Sequence, residues 1–587
     1  MTDYIFIFTF SPVQPFIAQA RRAADLYSGS QILVELAKAA AKSMKKAGAE
    51  LIYPASLDDD TPNRLVVKVT DVDKTVLAAQ AGFDEKWQAL CKTALDILSE
   101  RQPKPDNIWK EIWERQTENL WEITWAAAEL KGANFHDAYQ NARRAVEAAK
   151  RTRIFNQTEE DGLKDSLSGE RSSLRTGTKD GREYWSAFST KIFASKLKPD
   201  GRERLDSIGA IKRFGKLDEA KNIPPFKGFP STSTIASLPY LRKCRAEQSG
   251  LLKDYAEAIQ QLDCFAVRDT GNWLYDGDLF YKEMLDEQRL IEDYHLGKED
   301  VSPEKLKSTR DALAKLNGYP SAYYAIIAID GDKMGKRIDA CESIKDAHEI
   351  SQQLTQFAVE IAKSRGIPAK QEEPDAYVIY NGGDDLLAMT PLENAFKTAN
   401  EWQAAFKREV EGTASAGIAI VHHQAPLSAG LRSAREALEK AKHQGGRDAI
   451  CISVIKRGGA PVEILSKWDD AGAFFPKLIE DFTAPNHKTP AKLASKFAYS
   501  VLEEAHTLTA LKTDAQEANL GRLLKRHTND KENPSQVTAS ELATWARKLN
   551  EHTPPLYEAD GEIIPQGLVA LGNWLVTARF IAQGGEE

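Results

Sequence analysis

The sequence predicts an α+β protein with two strand-containing units, a helical segment between them and a helical C-terminal region. Three observations support this prediction: a β-α-β-β order of apolar runs opens the chain, the same order recurs after Tyr323, and helical periodicity dominates elsewhere. At 587 residues, the chain is too long for a single core, and its length suggests roughly three to five domains.

Composition limits the class of protein and of partner. The formal net charge is -8, so any contact with nucleic acid needs a local basic patch or a partner subunit. None of the five cysteines lies within four residues of another, which leaves no CxxC zinc pair and fits a reducing compartment. The sequence shows neither a signal peptide nor an apolar run long enough to span a membrane, so we expect a cytoplasmic protein.

The first unit begins with the apolar run from Tyr4 to Phe10, which predicts a buried strand. A long helical pattern follows, with an expected break near Ser28 and Gly29, and then come two further strand runs, LIYP and RLVVKV. This β-α-β-β order is typical of a ferredoxin-like unit.

Helices are expected to dominate the next part of the chain. The pattern is helical from about Phe83 to Arg153 and again from Glu183 to about Leu316, with an irregular stretch from Ile223 to Tyr240. Between the two helical regions, Leu163 to Arg182 is polar and predicts a loop. Four tryptophans in the first region have a spacing that can share one buried helix face: Trp109, Trp113, Trp121 and Trp125.

The second unit repeats the order of the first and adds a helix and a strand. YYAIIAID ends at Asp330, an amphipathic helix follows, and AYVIY and DLLAM predict hairpin strands. A helix, SAGIAIV, another helix and DAICISVI complete the unit. Both units look like versions of one fold, although their sequences show no evident similarity. We predict 1–215 for the first unit with a helical insertion, 216–320 for a helical linker, 321–460 for the second unit and 461–587 for a C-terminal helical domain.

Two adjacent carboxylates, Asp384 and Asp385, follow the glycine turn of this hairpin. Glycine supplies the positive φ of a two-residue turn, so turn chemistry explains Gly382 and Gly383. It does not explain two like charges in contact, which raise each other's pKa unless a cation neutralises them. Asp330 ends a strand expected to neighbour the hairpin, so Asp330 and Asp384 would meet at one sheet edge. Oxygen-only ligands suit Mg²⁺ or Mn²⁺, and two such ions can clamp a phosphate.

Other residues near this edge suit phosphate binding. DGDKMGK, from Asp330 to Lys336, forms a glycine-containing loop whose N–H groups could hold phosphates. Lys442 lies on a later predicted helix and could add a point charge. A GGDD motif alone is often a turn with solvated acids. Its combination with a strand that ends in DGD, at the matching place in the fold order, favours a functional site.

Several motifs together resemble a known family. NGGDDLLA, AIDGDKMGK, SAGIAI and ALEKAKHQGGRDAICI resemble the palm of the large, polymerase/cyclase-like subunit of type III CRISPR effector complexes, and more distantly GGDEF-type diguanylate cyclases. FIFTFSPVQPFIAQARRAADLYSGSQIL is similar to the opening of that family's first palm. TPNRLVV and FPSTSTIA are similar to segments of the Cmr-type (III-B) branch. The resemblance extends from Tyr4 to about Gly459.

The resemblance implies two ferredoxin-like, nucleotide cyclase-like palms and a nucleotidyltransferase that target RNA activates. It implies a CRISPR RNA and other Cmr-type subunits as partners, and cyclic oligoadenylates made from ATP with release of pyrophosphate. Catalytic and metal-ligand roles, for two Mg²⁺ or Mn²⁺ ions, are carried over to Asp330, Asp384 and Asp385. Nucleotide-binding roles are expected at Gly331, Asp332, Lys336, Gly382, Gly383 and Lys442.

Three departures from relatives shape these expectations. The chain starts at the first palm strand, so no HD nuclease domain is expected, and the dipeptide His136-Asp137 is interpreted as part of a helix surface. Asp165 and Ser168 stand where a zinc-binding CxxC pair would be, so no structural zinc is expected. The first palm lacks a GGDD counterpart, and Asp58 to Asp60 are interpreted as a solvated loop. By resemblance, the first palm still helps to bind the second ATP.

Three alternatives remain open from the sequence. The first is a free-standing dinucleotide cyclase that uses GTP, and the second is an enzyme that joins AMP to S-adenosylmethionine. The third is a non-enzymatic scaffold whose palm only shapes an effector complex.

Overall fold

The structure of the protein, a computed structural model, has two separate palm sheets flanked by helices, which confirms the predicted α+β class. No described helix combines the length and the apolar character needed to cross a lipid bilayer. The description covers residues 2–57, 61–100, 104–152, 160–177, 181–189, 197–198, 201–215, 229–264, 275–364, 374–485, 489–529, 532, 534–557 and 563–586. The triplet Asp58 to Asp60 lies outside these residues.

The first palm is built on a four-stranded antiparallel sheet. Its elements are β1 (Tyr4–Ser11), α1 (Gln14–Ala18), α2 (Ala23–Lys46), β2 (Glu50–Tyr53), β3 (Arg64–Val69), α3 (Val72–Ser99), α4 (Asn107–Glu118), β4 (Glu122–Glu129) and α5 (Phe135–Arg151). The strand order is β2-β3-β1-β4, and every neighbouring pair is antiparallel. The predicted β-α-β-β opening is present, and β4 completes the ferredoxin-like sheet.

Two expectations for this palm are wrong. Helix α2 continues through Ser28 and Gly29, and the break lies before it, between α1 and α2. Strand β4 interrupts the predicted helical region and carries Trp125, because pairing along the whole of β1 overrides the local helical spacing. The dipeptide His136-Asp137 lies in the first turn of α5.

Helices connect the two palms. They are α6 (Arg182–Phe188), α7 (Ser207–Phe214), α8 (Thr232–Glu247), α9 (Ser249–Gln261), α10 (Glu287–Tyr294) and α11 (Pro303–Ala314), with short 3-10 turns at Gly277–Phe280 and Lys282–Met284. The stretch predicted to be irregular up to Tyr240 becomes helical at Thr232, because the hydroxyl of Ser231 caps α8 by accepting a hydrogen bond from the Thr234 N–H. The domain boundaries remain predictions, and 216–228 lie outside the described residues.

The second palm is built on a six-stranded sheet. Its elements are β5 (Tyr323–Gly331), α12 (Met334–Asp339), α13 (Ile344–Ser364), β6 (Tyr377–Asn381), β7 (Asp385–Pro391), α14 (Ala395–Val410), β8 (Ala414–His422), α15 (Leu427–His443), β9 (Ala449–Ile455) and β10 (Val462–Lys467). The strand order is β10-β9-β8-β5-β7-β6, with only the β8–β9 pair parallel. The structure therefore confirms the predicted element order up to β9.

The C-terminal region is mostly helical, as predicted, but it does not begin with a helix. Residues Val462–Lys467 form β10, which pairs with β9 and extends the second sheet. The remaining elements are α16 (Trp468–Phe482), α17 (Lys496–Thr509), α18 (Thr513–His527), α19 (Ala539–Leu549), β11 (Leu556–Tyr557), β12 (Ile563–Ile564) and α20 (Gly567–Ala582). Side chains of α16, α17 and α20 share one apolar cluster with the second sheet.

The two palms pack against each other in a reciprocal way. Helix α2 of the first palm contacts β6, and helix α13 of the second palm contacts β2. One apolar cluster accordingly contains both Phe8 and Tyr380, and another contains both Ile7 and Ala347. The long helix between the first two strands of each palm, α2 or α13, therefore touches the other palm. The GGDD hairpin lies at this junction.

A buried charge cluster fixes α7 to the first palm. The guanidinium of Arg213 is 2% exposed, lies 2.7 Å from a carboxylate oxygen of Glu203 and donates a hydrogen bond to Asp25. Arg22 contacts the other oxygen of Glu203 at 2.7 Å. Burial alone would raise the pKa of Glu203, but Arg213 and Arg22 outweigh burial and hold it at about 2.

This cluster predicts a pH-dependent loss of stability. The pKa of Glu203 is lower in the folded state than its ordinary value, so its contribution is complete above about pH 4.5 and is lost as the pH falls towards 2. Glu203→Gln should lower the free energy of unfolding at pH 7 by about 3 kcal/mol, because it leaves a buried guanidinium only partly paired. Urea unfolding at pH 7 and pH 4 should show a smaller difference from wild type at pH 4.

Glu85→Gln is the matched control, since Glu85 is exposed on α3. It should unfold like wild type at both pH values. A Glu203→Gln deficit that stayed constant with pH would contradict the ion-pair explanation.

Candidate active site at the junction of the palms

The GGDD turn joins β6 to β7 through Gly382, Gly383 and Asp384, one residue more than the predicted two-residue turn. The N–H of Gly382 donates to the carbonyl of Asp385 at 2.8 Å. Gly383 has a φ of +94°, and a Cβ placed there would lie 3.0 Å from the hydroxyl of Tyr53 in the first palm. Glycine is therefore required at 383 both by the turn and by the other palm.

Three carboxylates lie beside this turn. Asp330 is opposite Asp385 in the β5–β7 register, and the N–H of Gly331 donates to the carbonyl of Asp384 at 2.9 Å. Burial and, secondarily, mutual repulsion raise the pKa of Asp384 to about 6 and that of Asp385 to about 7. Burial also raises the pKa of Asp330. The sheet edge thus concentrates negative charge at a cost to stability, as the sequence suggested.

Helix α15 supplies the cation nearest to Asp330. The ammonium of Lys442 lies 3.1 Å from a carboxylate oxygen of Asp330 and 3.5 Å from one of Glu439. Burial lowers the pKa of Lys442, but these two carboxylates outweigh burial and raise it. The structure therefore brings Lys442 to the acids, as the sequence predicted, and keeps it charged.

The first palm and α15 add contacts that the sequence reasoning missed. The side-chain amide of Gln14, on α1, donates to a carboxylate oxygen of Asp385 at 3.1 Å and accepts a hydrogen bond from Arg435 of α15. Arg64, at the start of β3, is near enough for its charge to lower the pKa of Asp384. No local sequence motif identifies these residues, because each of them interacts with a residue hundreds of positions away along the chain.

Asp332 is buried and makes structural hydrogen bonds next to the site. Its carboxylate accepts hydrogen bonds from the hydroxyls of Thr413 and Ser415, both at 2.8 Å, and from the N–H of Asp448 at 2.9 Å. These bonds hold the end of β5 to the starts of β8 and β9, and the expected nucleotide-binding role of Asp332 stays a prediction. Lys336 lies exposed on α12, and its expected role stays a prediction.

Gly331 is required for packing at the end of β5. A Cβ at this position would lie 2.5 Å from the ring of Phe406 and 3.0 Å from the Cβ of Asp384. A side chain here would have to displace the ring of Phe406 and would crowd Asp384.

The donor set fits divalent ions in its chemistry. All three candidate ligands are carboxylates, their charges are incompletely neutralised, and hard cations prefer oxygen. In the described part of the chain, no three acidic, histidine or cysteine side chains converge closely enough to hold an ion in this conformation. Asp330 is instead held by Lys442, and Asp385 by Gln14. Ion binding therefore requires these carboxylates to exchange protein partners for the metal.

Comparisons with known proteins agree with this architecture. The family described as CRISPR-associated protein Cmr2, N-terminal, matches residues 5–132, and the family described as Cas10/Cmr2, second palm domain, matches residues 323–451. The Cmr2 subunit of the CRISPR system Cmr from Pyrococcus furiosus is 26% identical, in an alignment that covers 84% of this chain and 66% of that relative.

Solved structures show the same fold over a greater length. A chain of the type III-B Cmr-beta complex in its apo state matches with a TM-score of 0.62 and 12% identity, covering 100% of this chain and 82% of that one. A chain of the Cmr-beta complex bound to cognate target RNA matches with a TM-score of 0.61 and 13% identity, covering 100% and 83%.

The paired palms and their matched regions define a CRISPR-associated protein with the Cas10/Cmr2 palm architecture. More particularly, the matches support a Cmr2-type large subunit, because the N-terminal match is to a Cmr2 family and the Pyrococcus furiosus relative is itself a Cmr2. The alignment covers about two thirds of that relative's length, at 66%.

The repulsion at the site predicts that removing its charge will stabilise the fold. Asp384→Asn combined with Asp385→Asn should raise the free energy of unfolding in a chelating buffer at pH 7.5 by about 1–3 kcal/mol, because two of the three crowded carboxylates become neutral. Denaturant unfolding of the full chain measures this difference. Asp311→Asn, which changes an exposed acid on α11, should have no effect. A double variant less stable than wild type would show that the repulsion does not govern stability.

Proposed function

We propose that the chain is the catalytic large subunit of a cytoplasmic type III-B CRISPR effector complex, and that target RNA activates it to make cyclic oligoadenylates from ATP. The observation that supports this proposal is the cluster of Asp330, Asp384, Asp385 and Lys442 at the palm junction. The partners are other Cmr-type subunits, a CRISPR RNA and target RNA, since a similar chain belongs to a Cmr-beta complex bound to cognate target RNA.

The reaction joins two nucleotides. The 3′-hydroxyl oxygen of one ATP forms a bond to the α-phosphorus of another, the bond between the α-phosphorus and the bridging oxygen breaks, and pyrophosphate leaves. Repetition lengthens the chain. The terminal 3′-hydroxyl then attacks the chain's own 5′ α-phosphorus, the last pyrophosphate leaves and the ring closes, and each attacking hydroxyl gives its proton to water. Two Mg²⁺ or Mn²⁺ ions, when bound, supply charge neutralisation and lower the pKa of the attacking hydroxyl.

The residues of this chain bind and position the reactants. Asp330, Asp384 and Asp385 would hold the ions, and the rigid ends of β5 and β7 fix the carboxylates relative to each other. Lys442 would leave Asp330 to bind phosphate oxygens when the carboxylate is engaged by metal. Gly382 and Gly383 would form the tight turn that admits the nucleotide, with the hydroxyls of Tyr380 and Tyr53 next to their backbone. Catalysis is then mainly positioning and electrostatic stabilisation.

The direct test compares wild-type and Asp384→Ala/Asp385→Ala complexes. Each complex is incubated with labelled ATP, Mg²⁺ and matching target RNA, and the products are identified by mass spectrometry. The variant should lose at least about 100-fold of product formation, because metal binding depends on these carboxylates, while target RNA binding stays intact. Asp311→Ala is the matched control. Undiminished product in the double variant would show that the site assignment is wrong.

The competing functions give different products in the same assay. Conjugation of AMP to S-adenosylmethionine predicts a new product mass only when that cosubstrate is added. A free-standing cyclase predicts a cyclic dinucleotide made from GTP by the isolated chain without RNA. A scaffold predicts no nucleotide turnover, and the Lys442–Asp330 ion pair is the contact that favours this reading. We expect an RNA-dependent adenylate product that S-adenosylmethionine does not change.

A further inference from the structure

Four cations without carboxylate partners lie together at the end of the second palm where β5 begins. They are Lys456, just after β9, Arg579 on α20, Lys496 on α17 and Arg526 on α18. Among the residues that the structure describes, none of the four makes an ion pair with an acidic side chain. Such a group is unexpected in a chain of net charge -8, in which acids outnumber lysines and arginines by 86 to 78. We refer to these four residues as the cation stripe.

Side-chain contacts join three members of the cation stripe. The ammonium of Lys456 lies 5.2 Å from the ring centroid of Phe580, the residue after Arg579. The guanidinium of Arg579 donates to the hydroxyl of Tyr499 at 3.0 Å and lies 5.4 Å from the centroid of that ring. Tyr499 in turn lies one helical turn after Lys496 on α17. The three cations therefore follow one another across neighbouring elements.

The cation stripe continues onto α18. The carbonyl of His527, the last residue of α18, accepts a hydrogen bond from the N–H of Ala494 at 2.9 Å, so the end of α18 lies beside the start of α17. Burial, and after it the charges of Arg526 and Lys496, lower the pKa of His527. Both cations therefore lie near the same ring, and both side chains are exposed.

The charge of the cation stripe is not balanced from within the described part of the chain. Glu504 opposes the lowered pKa of His527, but its carboxylate is paired with Arg522 at 2.8 Å. Arg579 is only 9% exposed, its Nε–H has no hydrogen-bond partner among the described residues, and its contact with Tyr499 is with a neutral phenol. Because a buried cation without a counter-charge lowers stability, the stripe favours an anion from another molecule.

The arrangement suits a chain of phosphates better than a single anion. The four cations are spread over four elements, so a linear polyanion can contact them in turn. The ring of Tyr499 lies between Arg579 and Lys496 in this series and is 37% exposed, which offers a surface on which a base can stack. Cations with an interleaved aromatic ring are typical of single-strand binding surfaces, whereas an acidic peptide makes no use of the ring.

The cation stripe is remote from the candidate active site. Phe580 packs against Tyr323, the first residue of β5, with 4.9 Å between the ring centroids. Asp330 is the next-to-last residue of the same strand. At about 3.3 Å per residue, the strand between Tyr323 and Asp330 spans roughly 23 Å. A polyanion on the stripe would therefore not contact the carboxylates beside the GGDD turn.

We propose that the cation stripe binds the phosphates of a single-stranded RNA segment and that Tyr499 stacks on one of its bases. The stripe supplies the local basic patch that an acidic chain needs for direct contact with RNA. Its contacts are to phosphates and to a base face, so the surface binds without a sequence preference. This inference does not depend on the proposed nucleotide reaction.

The test measures the binding of fluorescently labelled oligouridylate to the full chain by anisotropy, over a series of salt concentrations and without nucleotide. Lys496→Gln combined with Arg526→Gln should weaken binding at low salt at least about tenfold. The slope of log K against log salt should become shallower by about 1.4, since each phosphate contact on a single strand contributes about 0.7. Lys496→Arg combined with Arg526→Lys keeps both charges and should bind like wild type.

A matched control removes the same charge elsewhere. Lys307, on α11, and Lys315, just after it, are both exposed, and changing both to glutamine should leave binding and its salt slope unchanged. Tyr499→Leu should weaken binding about fivefold or more without changing the salt slope, because stacking releases no counterions.

Four results would overturn the inference. The first is wild-type affinity and slope in the Lys496→Gln/Arg526→Gln variant, and the second is equal weakening in the control pair, which would show a general effect of net charge. The third is wild-type affinity in Tyr499→Leu. The fourth is competition by polyglutamate as strong as that by unlabelled oligouridylate, which would show that the surface binds an acidic protein segment instead.

Discussion

The site depends on the reciprocal packing of the two palms. Each palm places its long helix, α2 or α13, against the other palm. The apolar clusters at these contacts include side chains from both sheets. Burying one large apolar side chain contributes about 1.5–3 kcal/mol, so a few of them outweigh the cost of crowding carboxylates, which is on the order of a few kcal/mol. The packing therefore stabilises a junction that its own charges weaken.

The same packing explains why the acids remain at the ends of strands. The carboxylate of Asp330, at the next-to-last position of β5, is fixed by the sheet, and Asp332 connects that end to the starts of β8 and β9 through three hydrogen bonds. Gly331 lies close to one side of the GGDD turn, and the hydroxyl of Tyr53 from the first palm lies close to the other side. The paired ends of β5 and β7 hold the acids close together, and either protonation or a bound cation relieves their repulsion.

The sequence predicts the second palm well, because its strands and helices alternate in runs long enough for their periodicity to be unambiguous. It predicts Asp330, Asp384, Asp385 and Lys442 as neighbours for the same reason. Once the element order is known, the strand ends that carry the acids are expected at one edge of the sheet. It fails where local pattern and long-range pairing disagree. EITWAAAE has a tryptophan at helical spacing from earlier ones, yet it forms β4 because β1 needs a partner on that side.

Residues from the first palm could not be predicted from the sequence. Gln14, Tyr53 and Arg64 are ordinary in their local context, and their importance comes only from contacts that cross the junction.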